Sequence, residues 1–258
     1  MVTRLSVNLN KVATLRNARG GAVPSLADAV DVCLEAGCHG ITVHPRADQR
    51  HITPDDVRLV ARALASRCDG VEFNIEGDPR PDLVELVLAT APDQCTLVPV
   101  RPGEITSEAG WDVNREYDTL AAAIQQLRRA SIRVSLFVEP TEAAVAWAAS
   151  LQADRVELYT EPYARAGERG DAERQRALSA YIAASTAARR AGLGVNAGHD
   201  LDLSNLGPLV SACRPDEVSI GHALISRALF VGLERTVREY LELLSAAALV
   251  TPAPETGA

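Results

Sequence analysis

The sequence predicts a single (β/α)8 barrel with extra helical segments in its connecting loops, and three observations predict it. Short β-branched runs alternate with longer stretches of helical apolar period, and the alternation occurs eight times. The short runs are nearly continuous in apolar residues, as strands of a parallel sheet covered by helices are. The length, 258 residues, suits one closed barrel. An open doubly wound sheet would place a glycine-rich dinucleotide turn after its first strand. Here Asn8-Leu-Asn-Lys-Val-Ala-Thr-Leu-Arg-Asn-Ala-Arg-Gly-Gly21 follows, without the G-x-G-x-x-G spacing.

Strands are expected at 5–9, 40–44, 71–75, 95–99, 134–138, 155–159, 194–197 and 217–220. Helices are expected at 25–37, 54–67, 80–91, 115–130, 141–151, 168–192, 203–213 and 222–247. Pro54 opens a helix where its missing N–H is harmless, and Gly37 and Gly192 follow helices as C-terminal caps do. The connections 10–24 and 100–114 are longer than a barrel needs, which marks them as binding loops or lids. The barrel is expected to occupy 1–248. The Pro- and Gly-containing stretch 249–258 is expected to be a disordered tail.

The 26 basic and 34 acidic residues leave a net charge of -8, with no block of like charge, so neither nucleic acid nor a membrane surface is an expected partner. Met1-Val-Thr-Arg leads straight into a strand-like run, and no apolar segment approaches the ~20 residues of a membrane span. A cytoplasmic protein is expected. The cysteines at 33, 38, 68, 95 and 213 are scattered and odd in number, which suits reduced, buried thiols. Lys11 is the only lysine; every other basic residue is arginine.

In such a barrel the site is built at the C-terminal ends of the strands. There stand Asn8, Asn10 and Lys11 after the first strand, with Arg16 and Arg19 beyond. His44, Arg46 and His51 follow the second, and Asn74 and Glu76 end the third. Arg101, Glu104 and Thr106 follow the fourth; Glu139, Glu157, Thr160 and Glu161 belong to the fifth and sixth. Asn196, Gly198, His199 and Asp200 belong to the seventh, and Ser219, Gly221 and His222 to the eighth. Four of the five histidines gather at one end; His39 is at the other. His44 and His199 come from different strands toward one mouth, and histidines with carboxylates move protons near neutrality. Glu72, Asn74 and Glu76 share one face of their strand by period two, so either carboxylate could serve chemistry or pair with an arginine. The glycine turns around Gly198 and Gly221 suit an anion approaching the backbone or simply a tight turn, and Arg19 and Arg46 could hold phosphate or be solvated. No metal-site spacing occurs, and the later strands offer no lysine for a Schiff base, so neither metal nor cofactor is expected. Another phosphosugar barrel, an epimerase or metal-free aldolase, and a non-catalytic phosphate-metabolite binding protein share this pattern.

One set of motifs is more specific. Ser6-Val-Asn-Leu-Asn-Lys-Val-Ala-Thr-Leu-Arg-Asn-Ala-Arg-Gly20, Gly40-Ile-Thr-Val-His-Pro-Arg46, Arg50-His-Ile-Thr53, Phe73-Asn-Ile-Glu-Gly77, Leu97-Val-Pro99, Val134-Ser-Leu-Phe137, Val195-Asn-Ala-Gly-His199 and Ile220-Gly-His-Ala223 resemble, in this order, the pyridoxine 5'-phosphate synthases. The resemblance runs from about residue 3 to 245. It implies a (β/α)8 barrel that condenses 3-amino-2-oxopropyl phosphate with 1-deoxy-D-xylulose 5-phosphate to pyridoxine 5'-phosphate, phosphate and water, in assemblies that are typically octamers. By motif, His44 and Glu76 are similar to the family's proton acceptors, His199 to its proton donor and Glu157 to a carboxylate that stabilises the transition state. Asn8, Arg19, Asp200, Gly221 and His222 match contacts to the amino-ketone phosphate. Asn10, Lys11, Arg46, His51 and Thr106 match contacts to the sugar phosphate.

Overall fold

The structure is a computed structural model that describes residues 2–66, 70–101, 103–104, 107–115 and 118–249. Cys68, Thr106 and most of the expected tail lie outside the described residues. Eight parallel strands close in sequence order: β1 (Arg4–Asn8), β2 (Gly40–Val43), β3 (Glu72–Gly77), β4 (Gln94–Leu97), β5 (Arg133–Val138), β6 (Arg155–Tyr159), β7 (Gly194–Gly198) and β8 (Glu217–Ile220), with β8 pairing back onto β1. Around them lie α1 (Asn10–Asn17), α2 (Leu26–Glu35), α3 (Pro54–Ala65), α4 (Pro81–Thr90), α5 (Asp118–Arg129), α6 (Glu142–Ser150), α7 (Glu161–Glu168), α8 (Asp171–Arg190), α9 (Leu206–Cys213), α10 (His222–Val231) and α11 (Leu233–Ala248).

The eight expected strands are all present. Three helices depart from expectation. The connection 10–24 begins as α1 and α7 precedes α8; each is only eight residues long, too short for its period to stand out. The expected helix 222–247 is broken at Gly232, whose φ of +91° ends α10 and starts α11. Pro54 does open α3, behind a capping box in which Thr53 and Asp56 satisfy each other's backbone N–H.

The strands differ from expectation in a way that matters for the site. They are not apolar on both faces. Outward residues such as Leu5, Val7, Ile41, Ile75 and Val195 are fully buried against the helices. Inward residues are almost all polar. The register stacks them in layers of four from alternate strands, as in other barrels, though such layers are usually Val, Ile and Leu. At the base are Arg4, Glu72, Arg133 and Gly194, then Gly40, Gln94, Arg155 and Glu217. Ser6, Asn74, Ser135 and Asn196 follow, and then Thr42, Thr96, Glu157 and Ser219. These groups answer one another. Glu72 pairs with Arg4 at 2.8 Å and with Arg133, Arg133 Nε donates to Gln94 at 3.0 Å, and Asn196 Nδ2 reaches Gln94 across the lumen at 3.5 Å. Thr96 donates to Asn74, Asn74 to Thr42, and Thr42 bonds Ser6 at 2.7 Å.

A fourfold device closes the base. Asp93, Asp154 and Asp216 each precede an even strand, and each carboxylate accepts the N–H of the second residue of the preceding odd strand: Phe73 at 2.7 Å, Val134 at 2.8 Å and Val195 at 2.7 Å. His39 holds the same place in the first quarter, its Nδ1 accepting from Leu5 N at 3.1 Å. Removing such an acceptor strands a buried donor. Asp216→Ala should therefore cost about 1–2 kcal/mol in urea unfolding. His39 is held below the ordinary imidazole value of 6.5 by burial and then by Arg4, so it favours its neutral form in the folded state. Its clamp is complete above about pH 6.5 and is lost as pH falls below it, because the unfolded chain binds that proton more readily. His39→Asp should lose less stability than the parent between pH 6.5 and 5, and equal losses would show that the clamp does not depend on the imidazole.

Candidate active site

The top inward layers lie at the C-terminal mouth: Asn8, Glu76, Phe137 and Gly198 from odd strands, with His44, Val98, Tyr159 and Gly221 at or just past the ends of even ones. A cavity of about 580 Å³ opens there. His44, Glu76, Glu157 and His199, the four expected proton-handling residues, all line it. So do Asn8, Asn10, Lys11, Arg46 and His51 on one side and Asp200, Gly221 and His222 on the other. Two expected residues are not brought in. Arg19 is exposed beyond the end of α1 and does not line the cavity, and Thr106 lies outside the described residues.

The β1 end ties His44 and Glu76 together. Asn10 Oδ1 accepts from His44 N at 2.9 Å, Asn10 N donates to Asn8 Oδ1 at 3.0 Å, and Asn8 Nδ2 donates to Glu76 Oε2 at 3.3 Å. His44 Nδ1 stands 4.0 Å from that same oxygen. Burial pushes the Glu76 carboxyl up to about 7, against the opposing charge of His199 and the hydrogen bonds of Ser219 and Asn8. Burial, then the charges of His51 and Arg46, holds His44 well below the ordinary imidazole value. Its Nε2 is buried with no hydrogen-bond partner among the described residues. His44 is thus a neutral base with one nitrogen unspent.

Glu157 is buried at 4 % exposure, and its carboxyl is held well above the usual range by burial, then by Glu76 and Glu217. Its Oε1 sits 2.3 Å from where a side chain on Gly198 would begin, so only glycine leaves it room. Glu72 is excluded from the mouth: it is at the opposite end of β3, gripped by Arg4 and Arg133. Arg16 is spent on the scaffold, pinning α1 to α3 through Asp56 at 2.8 Å.

Cations gather on the β1–β2 wall. Arg46 is buried at 6 % exposure, donates from Nη2 to Glu104 O at 3.3 Å and lies 3.8 Å from Asp48. His51 Nδ1 accepts from Ile52 N at 2.9 Å, which places its proton on Nε2. Burial, then Arg46 and Lys11, holds His51 to about 4, so it donates as a neutral ring. On the opposite wall Gly221 caps α10, whose first N–H groups and dipole suit an anion. A side chain there would meet Asn8 at 3.1 Å, so glycine allows a ligand to reach both backbone and Asn8.

His199 and Asp200 stand at the rim, both at positive φ, with His199 Nδ1 3.1 Å from Asp200 Oδ2. The Tyr159 ring meets His199 edge on at 5.3 Å and stacks on Phe137 at 5.3 Å; its hydroxyl donates to Glu161. Sequence reasoning did not commit to Arg50, Phe137 or Arg165, which also line the cavity. Arg165 rides on α7, and the signal for that helix was Pro162 at its first turn, the same cue that located α3. Among the described residues, no three His, Cys, Asp or Glu side chains come together as metal ligands do.

Fold and site define a (β/α)8 barrel whose mouth gathers histidines and buried carboxylates between a wall rich in cationic side chains and the N-terminus of α10. The chain belongs to the family described as pyridoxal phosphate biosynthesis protein PdxJ, whose profile matches residues 5–246. It is 50% identical over 252 residues to the pyridoxine 5'-phosphate synthase of Xanthomonas axonopodis pv. citri, covering 95% of this chain and 97% of that protein. It is also 50% identical over 244 residues to the protein of the same name from Bacteroides fragilis strain YCH46, covering 94% of this chain and all of its relative. Among solved structures, phosphoribosyl anthranilate isomerase from Thermotoga maritima is similar in fold, with TM-score 0.59 at 14% identity, over 95% of this chain and 99% of that one.

Two outcomes test this geometry. Gly198→Ala should push the Glu157 carboxylate aside and lower activity at least tenfold with the barrel still folded, checked by circular dichroism beside the assay. Glu76 carries its raised pKa only in the folded state, so its ionisation costs stability as pH rises from about 4.5 to about 7. Glu76→Gln should gain on the parent in thermal stability across that window; a constant difference from pH 5 to 8 would deny the burial effect.

Proposed function

We propose that this chain joins 3-amino-2-oxopropyl phosphate to 1-deoxy-D-xylulose 5-phosphate and closes the pyridine ring of pyridoxine 5'-phosphate, with release of phosphate and water. The observation that carries this reading is the convergence of His44, Glu76 and His199, from three separate strands, on one cavity with anion sites on opposite walls. Family membership and the names borne by relatives at 50% identity support it.

The chemistry suits these groups. The substrate's own amine attacks the sugar ketone, so no enzyme lysine is needed. Imine formation, elimination and ring closure then take protons from nitrogen and carbon and give them to leaving oxygens. His44, neutral and with Nε2 unspent, and Glu76, which exchanges its proton near pH 7, are the acceptors. His199 on the facing rim is the donor. Glu157, kept protonated by its surroundings, can donate a hydrogen bond to charge that develops on oxygen. Lys11, Arg46 and the Nε2–H of His51 hold the sugar phosphate, together with Asn10 and Thr106. The N-terminus of α10 with Gly221, His222, Asn8 and the backbone of Asp200 holds the amino-ketone phosphate, without Arg19, which the fold leaves outside the cavity. Fixing both phosphates sets amine and ketone in attack geometry, which is worth several kcal/mol of barrier, of order 7 or more in favourable systems.

The same reading makes the protein a cytoplasmic homo-oligomer, an octamer as the family resemblance implies, with its barrel over 1–248. Exposed Leu15, Leu229 and Phe230 on the neighbouring helices α1 and α10 support an assembly, since single copies rarely leave such side chains together in water.

Purified protein given both substrates should yield pyridoxine 5'-phosphate, and no product at high enzyme concentration would overturn the proposal. Glu76→Gln should suppress turnover about a hundredfold or more, and its loss should remove an acid limb of the pH–rate profile near 7. Glu72→Gln should instead lower stability, by leaving Arg4 and Arg133 unanswered, with turnover per folded molecule little changed. If only Glu72→Gln abolishes turnover, the base is misassigned.

A further inference from the structure

Two consecutive residues at the rim of β7 adopt a backbone that side chains usually avoid. His199 has φ +90° and Asp200 φ +53°, a region that costs about 1 kcal/mol or more per non-glycine residue. The surroundings hold them there. The Thr160 hydroxyl bonds the carbonyl oxygens of Gly198 and His199, Asn205 Nδ2 donates to Asp200 O at 3.0 Å, and the Tyr159 edge packs on the imidazole at 5.3 Å. The result is a fixed pairing of His199 Nδ1 with Asp200 Oδ2 at 3.1 Å.

We propose that the Asp200 carboxylate is a positioning residue that fixes the tautomer and orientation of the His199 ring, so that proton delivery to substrate runs through Nε2. This rests on the reading above, in which His199 is the proton donor. An ionised carboxylate only accepts, so the proton on the line between the two groups belongs to Nδ1. The protonated ring then gives its Nε2 proton to the departing oxygen. What remains is the neutral Nδ1–H tautomer, still donating to Asp200, and it is recharged by taking a proton back at Nε2. A lone histidine would divide its neutral form between two tautomers and its ring between two orientations. The carboxylate's role is separate from the contact of the Asp200 backbone to phosphate, and it uses a side chain to which no substrate contact is assigned. Among the described residues, Glu76, His222 and Arg165 also bear charge around this pair.

Two variants separate the carboxylate from the backbone. Asp200→Gly keeps the positive φ without strain and removes the acceptor; Asp200→Asn keeps an acceptor oxygen in the same place. With nitrogen-15-labelled histidine, NMR of the parent with its imidazole neutral should show Nδ1 protonated and Nε2 bare. Asp200→Asn should retain that signature and Asp200→Gly should lose it, giving averaged shifts. In steady-state assays kcat should fall about tenfold in Asp200→Gly and recover most of that in Asp200→Asn, with KM for both phosphates little changed. A parent ring with its proton on Nε2, or equal kcat in Asp200→Gly and parent, would overturn the inference. So would a loss in Asp200→Gly confined to KM. If the parent makes no pyridoxine 5'-phosphate, the functional reading fails, while the NMR comparison still decides whether Asp200 sets the tautomer.

Discussion

The grip of Arg4 and Arg133 on Glu72 is the interaction on which the rest depends. These three side chains come from β1, β3 and β5 and meet inside a barrel whose lumen is polar from base to mouth. A buried carboxylate without partners costs several kcal/mol, so a polar lumen is stable only if its charges are answered. At the base they are. Burial pulls Arg133 down to about 10 and raises Glu217, whose main opposing influence is Arg155, so even there the balance is close. The apolar work is done on the outside of the strands, where Leu5, Val7, Ile41 and Val195 are sealed beneath the helices.

The same lumen at its upper end is left incomplete. His44 Nε2 and Glu157 Oε2 are buried without hydrogen-bond partners among the described residues. Burial moves their proton affinities in opposite directions, the imidazole down and the carboxyl up. Base and mouth thus differ in how charge is answered: at the base the ion pairs of Arg4 and Arg133 hold Glu72, whereas at the mouth the buried Glu157 carboxyl is raised by Glu76 and Glu217 beside it. Glu72 and Glu76, four residues apart on one face of one strand, embody the difference.

The mouth is also one connected object. The hydrogen-bond chain from the His44 backbone through Asn10 and Asn8 to Glu76 links these two residues, and Asn8 in turn lies against Gly221, at the start of α10. Under the proposed function, a phosphate seated there would touch Asn8, which bonds Glu76. His199, on the facing rim, is held by its own set of contacts from β6 and the loop after β7.

Much of this was legible in the sequence. Eight alternations of strand and helix are a local signal, set by β-branched runs, Pro54 and the glycine caps, and they determined the closed barrel and which strand ends share the mouth. The motifs around His44, Glu76 and His199 located residues that meet in one cavity for the same reason: each sits at a strand end that the fold must bring to one place. Short α1 and α7 escaped because eight residues give two turns and little period, and with α7 went Arg165. Period two puts Glu72 and Glu76 on one face, so spacing leaves both open and only the motif favours Glu76; the pairing of Glu72 with distant Arg4 and Arg133 at the base leaves Glu76 to line the cavity. The polar filling of the lumen, the exposure of Arg19 and the clasp of Asp200 on His199 likewise depend on distances between residues that the chain brings together only when the barrel closes.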